Sequence, residues 1–141
     1  MYHERILLHA YCLLPNHFHL LIEQKDEKAM TEFMQSLQLS FTAIVNKRNC
    51  RVGHLFQSIY RGRRIKSDVG FISCMSYIHN NPDEDIMKYH YSSLRKYLKK
   101  ERISGDFLSQ DRYLSFFNND RKSMRDYLLS GLSSLDSRYS I

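Results

Sequence analysis

The chain has 141 residues, enough for one ordinary core, and its 43% hydrophobic and 26% charged residues belong to a folded protein rather than a disordered one. A formal net charge of +6 favours an anionic partner, and no apolar run approaches the roughly 18 residues of a membrane span. The three cysteines (Cys12, Cys50, Cys74) lack CxxC spacing, which suits reduced thiols in a cytoplasmic protein with no disulfide framework.

Residues 5–14 are rich in apolar and aromatic side chains and end at Pro15-Asn16, a turn pair. His9 interrupts the run and no small-residue cleavage site follows it, so it is not a signal peptide. Residues 17–23 read as a second strand, forming an antiparallel hairpin with the first. Its period of two puts Phe18, Leu20 and Ile22 on one face, read as the core face, and His17, His19 and Leu21 on the other. Over 27–47 the apolar residues Met30, Phe33, Met34, Leu37, Phe41, Ile44 and Val45 recur every three or four positions, predicting a helix with one core-facing stripe. Gly53 marks a turn, and 55–66 reads as one or two short strands with a bend at Gly62. Ser67-Asp68 then caps a helix that runs to about residue 80 and is stopped by Pro82. A polar connection and short helices over 111–117 and 121–129 complete the chain, with the last ten residues open to fraying. The fold class is α+β, an antiparallel sheet with helices on one face. No linker or second domain is evident, and the chain is divided as a main body over 1–100 with a helical C-terminal tail of the same domain over 101–141.

Three groups of residues could carry chemistry. His17 and His19 are two apart on a strand, with Cα atoms roughly 6.5–7 Å apart on one face, so two imidazoles can converge on one ion. The alternative is a pair of partly exposed strand histidines. Tyr77 falls well away from the helical cluster of Phe71, Met75 and Ile78, as a surface tyrosine or a nucleophile would. Asn81, four residues later, offers an amide oxygen of the kind magnesium or manganese prefers. The basic clusters Lys47, Arg48, Arg51 and Arg61, Arg63, Arg64, Lys66 adjoin Phe56 and Tyr60, a mixture for phosphates and bases or simply a solvated face. His79 lies about 160° around the helix from Tyr77, which argues against direct help in catalysis. His54 is read as exposed or turn-stabilising.

The stretch AYCLLPNHFHLLI at 10–22 resembles the HUH motif region of the REP-associated tyrosine transposases, relatives of the small single-tyrosine insertion-sequence transposases. GHLFQSIYRGRRI at 53–65 is similar to that family's hairpin after the long helix, and SYIHNNP at 76–82 to its tyrosine helix with a YIxxNP pattern. HYSS at 90–93 resembles a WSS segment with Tyr91 in place of tryptophan, and 111–127 resembles the C-terminal helical tail. The resemblance implies a ferredoxin-like HUH fold, His17 and His19 as metal ligands with Asn81 completing the site, and Tyr77 as nucleophile. It implies an enzyme that nicks and rejoins single-stranded, hairpin-bearing DNA through a 5′-phosphotyrosine, with Mg²⁺ or Mn²⁺. A phenol ionises near pH 10, so a cation that neutralises the phosphodiester has a clear task.

The sequence departs from that family at its front, where an opening strand and helix usually precede the histidine strand. The missing strand predicts open sheet edges or an incomplete core. A decayed remnant, a misassigned start or a homodimer filling the gap would each account for it, and a truncated copy with weak strand transfer is the expectation. The competing function is a transposase remnant that binds DNA without cleaving it. A zinc hydrolase built on HxH lacks further Cys, His or acidic ligands nearby and ranks last.

Overall fold

The structure is a computed structural model that describes residues 4–83, 85–99 and 107–131; the parts of the expected tail at 101–106 and 132–141 lie outside the described residues. The architecture is α+β. Two strands, β1 (Ile6–Leu13) and β2 (Phe18–Gln24), form an antiparallel hairpin. Five helices follow among the described residues, α1 (Ala29–Arg48), α2 (Asp68–His79), α3 (Leu94–Leu98), α4 (Asp111–Ser115) and α5 (Arg121–Gly131). None is long and apolar enough to cross a membrane. The chain divides into two compact units, one of Gln24–Arg64 with the residues up to Ile6, the other of Leu7–Glu23 with the chain from Ile65 onward.

In the first unit, Asp26 organises the entry to α1. Its Oδ1 accepts from the amides of Lys28 (3.1 Å) and Ala29 (3.0 Å), satisfying donors the helix leaves open. The same carboxylate pairs with Arg5 at 2.8 Å, and Arg5 also reaches Glu32 at 2.6 Å. The predicted apolar stripe of α1 is not a core. Only Ala29 and Met34 are buried, while Leu37, Phe41 and Ile44 are 37%, 50% and 51% exposed. Amphipathic spacing specifies a helix with an apolar side, but burial also needs a partner surface, and this unit offers one long helix and irregular chain. Phe41 does meet Phe56, with ring centroids 6.1 Å apart. The short strands expected over 55–66 are absent, and residues 51–66 form no regular element. Arg61, Gly62, Arg63 and Arg64 supply no alternating apolar face that pairing could bury.

The core of the second unit joins Ala10 and Cys12 of β1, Leu21 of β2 and Phe71, Met75 and Ile78 of α2 with Tyr97, Leu108, Tyr113, Met124 and Leu128. Leu21 is the one buried residue of β2 and shares its face with His19 and Glu23, whereas Phe18, Leu20 and Ile22 on the other face are half-buried and stand outside that core. Hydrophobicity misassigned the faces because polar residues, His19 and Glu23, share the core side with Leu21. The hairpin register explains part of this. Leu14 N–H donates to His17 O (2.8 Å) and Lys25 N–H to Arg5 O (2.9 Å), so β1 carries one residue more than β2 between those bonds, a bulge.

The outer edge of β1 is covered by later chain. Leu13 N–H donates to Tyr91 O (2.8 Å), Ser93 N–H to Tyr11 O (2.9 Å) and Ser109 N–H to Leu8 O (2.7 Å), with isolated bridges Cys12–Ser92 and Leu8–Leu108. Tyr97, fully buried, donates its hydroxyl to His9 O at 2.6 Å. The expectation of open edges thus fails at β1, although among the described residues no strand pairs with the far side of β2. The predicted cap of α2 is observed: Ser67 Oγ accepts from Gly70 N–H at 3.1 Å. At the other end of the hairpin His9 is buried, its Nδ1 3.1 Å from Ser109 O and its Nε2 3.1 Å from Glu23. Glu23 also takes Arg112 (2.9 Å), which reaches Asp68 (3.3 Å) and lies over Phe71.

Candidate active site

His17 and His19 are set by the turn and the first residues of β2. His17 lies just before the strand and is exposed, and its Nδ1 is 2.6 Å from Asn16 Oδ1. With an amide oxygen facing it, Nδ1 carries the hydrogen and Nε2 keeps its lone pair for a ligand, the arrangement by which outer partners orient metal-binding imidazoles. Asn16 is a contributor that sequence reading took only for turn chemistry. The His19 ring is half-buried, 5.0 Å from the His17 ring and at 90° to it.

Tyr77 sits in the last turn of α2. It is not a free surface tyrosine: it is half-buried, packs against the core, and its ring centre lies 5.4 Å from that of His19 in an edge-on contact. Asn81 falls just beyond the helix, which ends at His79. The turn is closed by Asn80, whose backbone N–H (3.0 Å) and side-chain amide (2.8 Å) both donate to Ser76 O. The Asn81 side chain is near enough to His19 to raise its proton affinity. The sequence-predicted residues His17, His19, Tyr77 and Asn81 are thereby gathered in one unit.

The electrostatics of His19 suit a neutral imidazole. Burial lowers its affinity for a proton, the adjacent His17 adds to that, and the polar Asn81 side chain works in the opposite direction. Its Nε2 is buried with no hydrogen-bond partner among the described residues, a cost that a ligand cation would relieve. Among the described residues no three His, Cys, Asp or Glu side chains stand together as a metal cluster. A cation here would rest on two imidazoles and the Asn81 amide, with other positions open. That donor set fits a divalent ion that also accepts phosphate oxygens.

The predicted DNA-contacting residues are all exposed. Lys47, Arg48, Arg51, Arg61, Arg63 and Arg64 belong to the first unit and Lys66 to the second. Lys47 and Arg48 occupy the last turn of α1, where their charge also suits the helix dipole. Arg51 donates to His54 O at 3.1 Å, and His54 itself is exposed. His79, set aside in the sequence reading, is fully buried, and burial pulls its pKa down to about 3. Its Nε2 lies 2.8 Å from Ser93 Oγ, and although Ser93 falls in the HYSS segment that carries the resemblance, nothing in the sequence assigns its hydroxyl this contact.

A comparison with protein families matches residues 2–81 to the family described as transposase IS200-like, a class of proteins that move DNA. The match covers more than half of the 141 residues, and the chain belongs to the IS200-like transposase family. No curated protein and no solved structure matches.

Proposed function

We propose that the chain is a REP-associated tyrosine transposase that cleaves and rejoins single-stranded, hairpin-bearing DNA with Tyr77 as nucleophile. The observation that carries this reading is the contact series His17, His19, Tyr77, with ring centres 5.0 and 5.4 Å apart. A phenol beside an imidazole pair is suited to attack a phosphodiester held at those imidazoles. His17, His19 and Asn81 would hold a divalent cation, Mg²⁺ or Mn²⁺, which when bound neutralises phosphate charge and polarises the scissile linkage.

The protein's own part is orientation. Tyr77 Oη forms a bond to phosphorus, the bond from phosphorus to the 3′ oxygen breaks, and the phenolic proton passes to water as the leaving oxygen gains one. The products are a 5′-phosphotyrosine and a free 3′-hydroxyl. The phosphotyrosine retains the energy of the broken linkage, so rejoining by a 3′-hydroxyl needs no nucleotide cofactor. The half-buried position of Tyr77 holds its ring and reduces the orientation lost on reaching the transition state. The exposed basic side chains would supply phosphate contacts.

The test is incubation with a 5′-labelled and a 3′-labelled hairpin oligonucleotide in Mn²⁺, followed by denaturing electrophoresis. A covalent protein–DNA adduct that carries the label 3′ of the cut and disappears in Tyr77→Phe is expected. Binding without an adduct would instead identify a remnant that recognises DNA but does not cut it.

A further inference from the structure

We infer that His79 and Ser93 form a buried bolt that positions Tyr77 against the histidine strand. The inference rests on the nucleophile reading of Tyr77 and names residues that this reading does not use. His79 Nε2 lies 2.8 Å from Ser93 Oγ, and both side chains are buried. The same Ser93 hydroxyl accepts from Tyr11 N–H at 3.0 Å and reaches Tyr11 O at 3.2 Å. Ser93 N–H also donates to Tyr11 O.

The Ser93 hydroxyl accepts from Tyr11 N–H and shares one hydrogen bond with His79 Nε2, donated by whichever of the two carries the hydrogen in the imidazole tautomer present, while His79 Nδ1 has no partner among the described residues. An apolar side chain would avoid that unsatisfied nitrogen, so the retained imidazole is explained by the one bond it makes.

The placement of the bond matters more than its strength. His79 ends α2, between Tyr77 and Asn81, where a helix frays most readily. Tyr11 lies on β1, the strand paired to β2 and so to His19. One hydroxyl thus ties the helix end that carries the phenol to the sheet that carries the imidazole. Tyr97 backs the arrangement, its ring 5.5 Å from that of His79 and its hydroxyl on His9 O. His79 is wholly enclosed and touches no substrate, so it is a positioning residue. Ser93 lies outside residues 2–81, which means that chain beyond the family match completes the site.

The experiment compares Ser93→Ala, His79→Gln, His79→Leu and Tyr77→Phe with the wild-type chain at a temperature where each is folded by circular dichroism. Cleavage of a hairpin-bearing single-stranded oligonucleotide with Mn²⁺ gives kcat and KM, and hydrogen exchange reports the amides of residues 77–79. Small misplacements of reacting groups cost up to about a hundredfold, so Ser93→Ala should lose about ten- to a hundredfold in kcat with KM unchanged. Exchange at those amides should quicken, and His79→Gln, which keeps a hydrogen-bonding group able to reach Ser93, should outpace His79→Leu. Should His79→Leu fail to fold, Ser93→Ala decides alone. Wild-type kcat and exchange in Ser93→Ala, or a loss confined to KM, would overturn the positioning role while Tyr77→Phe stays inert. An adduct formed by Tyr77→Phe would overturn the nucleophile reading instead.

Discussion

Two buried tyrosines in one cluster should respond in opposite ways to the same substitution. Tyr97 and Tyr113 are both fully buried, with ring centres 5.6 Å apart. The Tyr97 hydroxyl donates to His9 O at 2.6 Å, a carbonyl on the covered edge of β1. The Tyr113 hydroxyl is buried with no partner among the described residues, and burial pushes its pKa above the ordinary phenol value. Tyr97→Phe keeps the ring and deletes the bond, leaving a buried carbonyl short of a donor at a cost of about 1–3 kcal/mol. With a urea slope of about 2 kcal/mol per M, a loss near 2 kcal/mol lowers the unfolding midpoint by about 1 M. Tyr113→Phe removes an oxygen that was desolvated for nothing, so the midpoint should hold or rise by up to about 0.5 M. Urea titrations followed by circular dichroism on the two variants and the wild type give both shifts. Equal losses, or a larger loss in Tyr113→Phe, would refute the claim that hydrogen bonding to the β1 edge distinguishes these hydroxyls.

Acid should release the Arg5 clamp at the entry to α1. Arg5 holds the Asp26 carboxyl down from 3.8 to about 2, so this contribution is complete above the unfolded value and is lost as pH falls through about 2. Arg5→Ala should return the Asp26 titration, followed by carboxyl carbon NMR, toward its ordinary position. Ser67→Ala deletes the acceptor for Gly70 N–H and should cost about 1 kcal/mol in urea unfolding, with cleavage kinetics unchanged once folded. Replacing Arg61, Arg63 and Arg64 by Gln should weaken oligonucleotide binding and flatten its dependence on salt by up to about 2 in the log–log slope, measured by fluorescence anisotropy. An unchanged slope would remove those side chains from the DNA interface.

The hairpin and α2 were legible because their signals are local. Pro15-Asn16 between two apolar runs specifies a turn, and Ser67 followed by Pro82 brackets a helix. The grouping of His17, His19, Tyr77 and Asn81 followed from motif resemblance rather than periodicity. What could not be read is what depends on distant partners. The stripe on α1 has helical spacing whether or not a surface covers it, and the polar pair His9 and Glu23 is admitted to the buried side of the sheet only because Ser109 and Arg112 meet it there. Residues 55–66 mix Leu55, Phe56, Ile59 and Tyr60 with turn residues and charges, a pattern that fits a strand only if a neighbour pairs with it. Ser93 and Tyr97 become important through bonds to Tyr11 and His9, which no sequence window spans.

The cover on β1 has a cost in time. The strand leaves the ribosome before the groups that satisfy its outer edge, which follow 82 residues later for Ser93 on Tyr11 and 101 later for Ser109 on Leu8. At synthesis rates of about 5–20 residues per second, the nascent hairpin waits several seconds or more with one row of amides and carbonyls unclaimed. Such long-range closure slows folding and leaves a template for pairing with another chain in the interval. Recovery of soluble protein should therefore depend on translation speed and growth temperature more than on the stability of the finished fold.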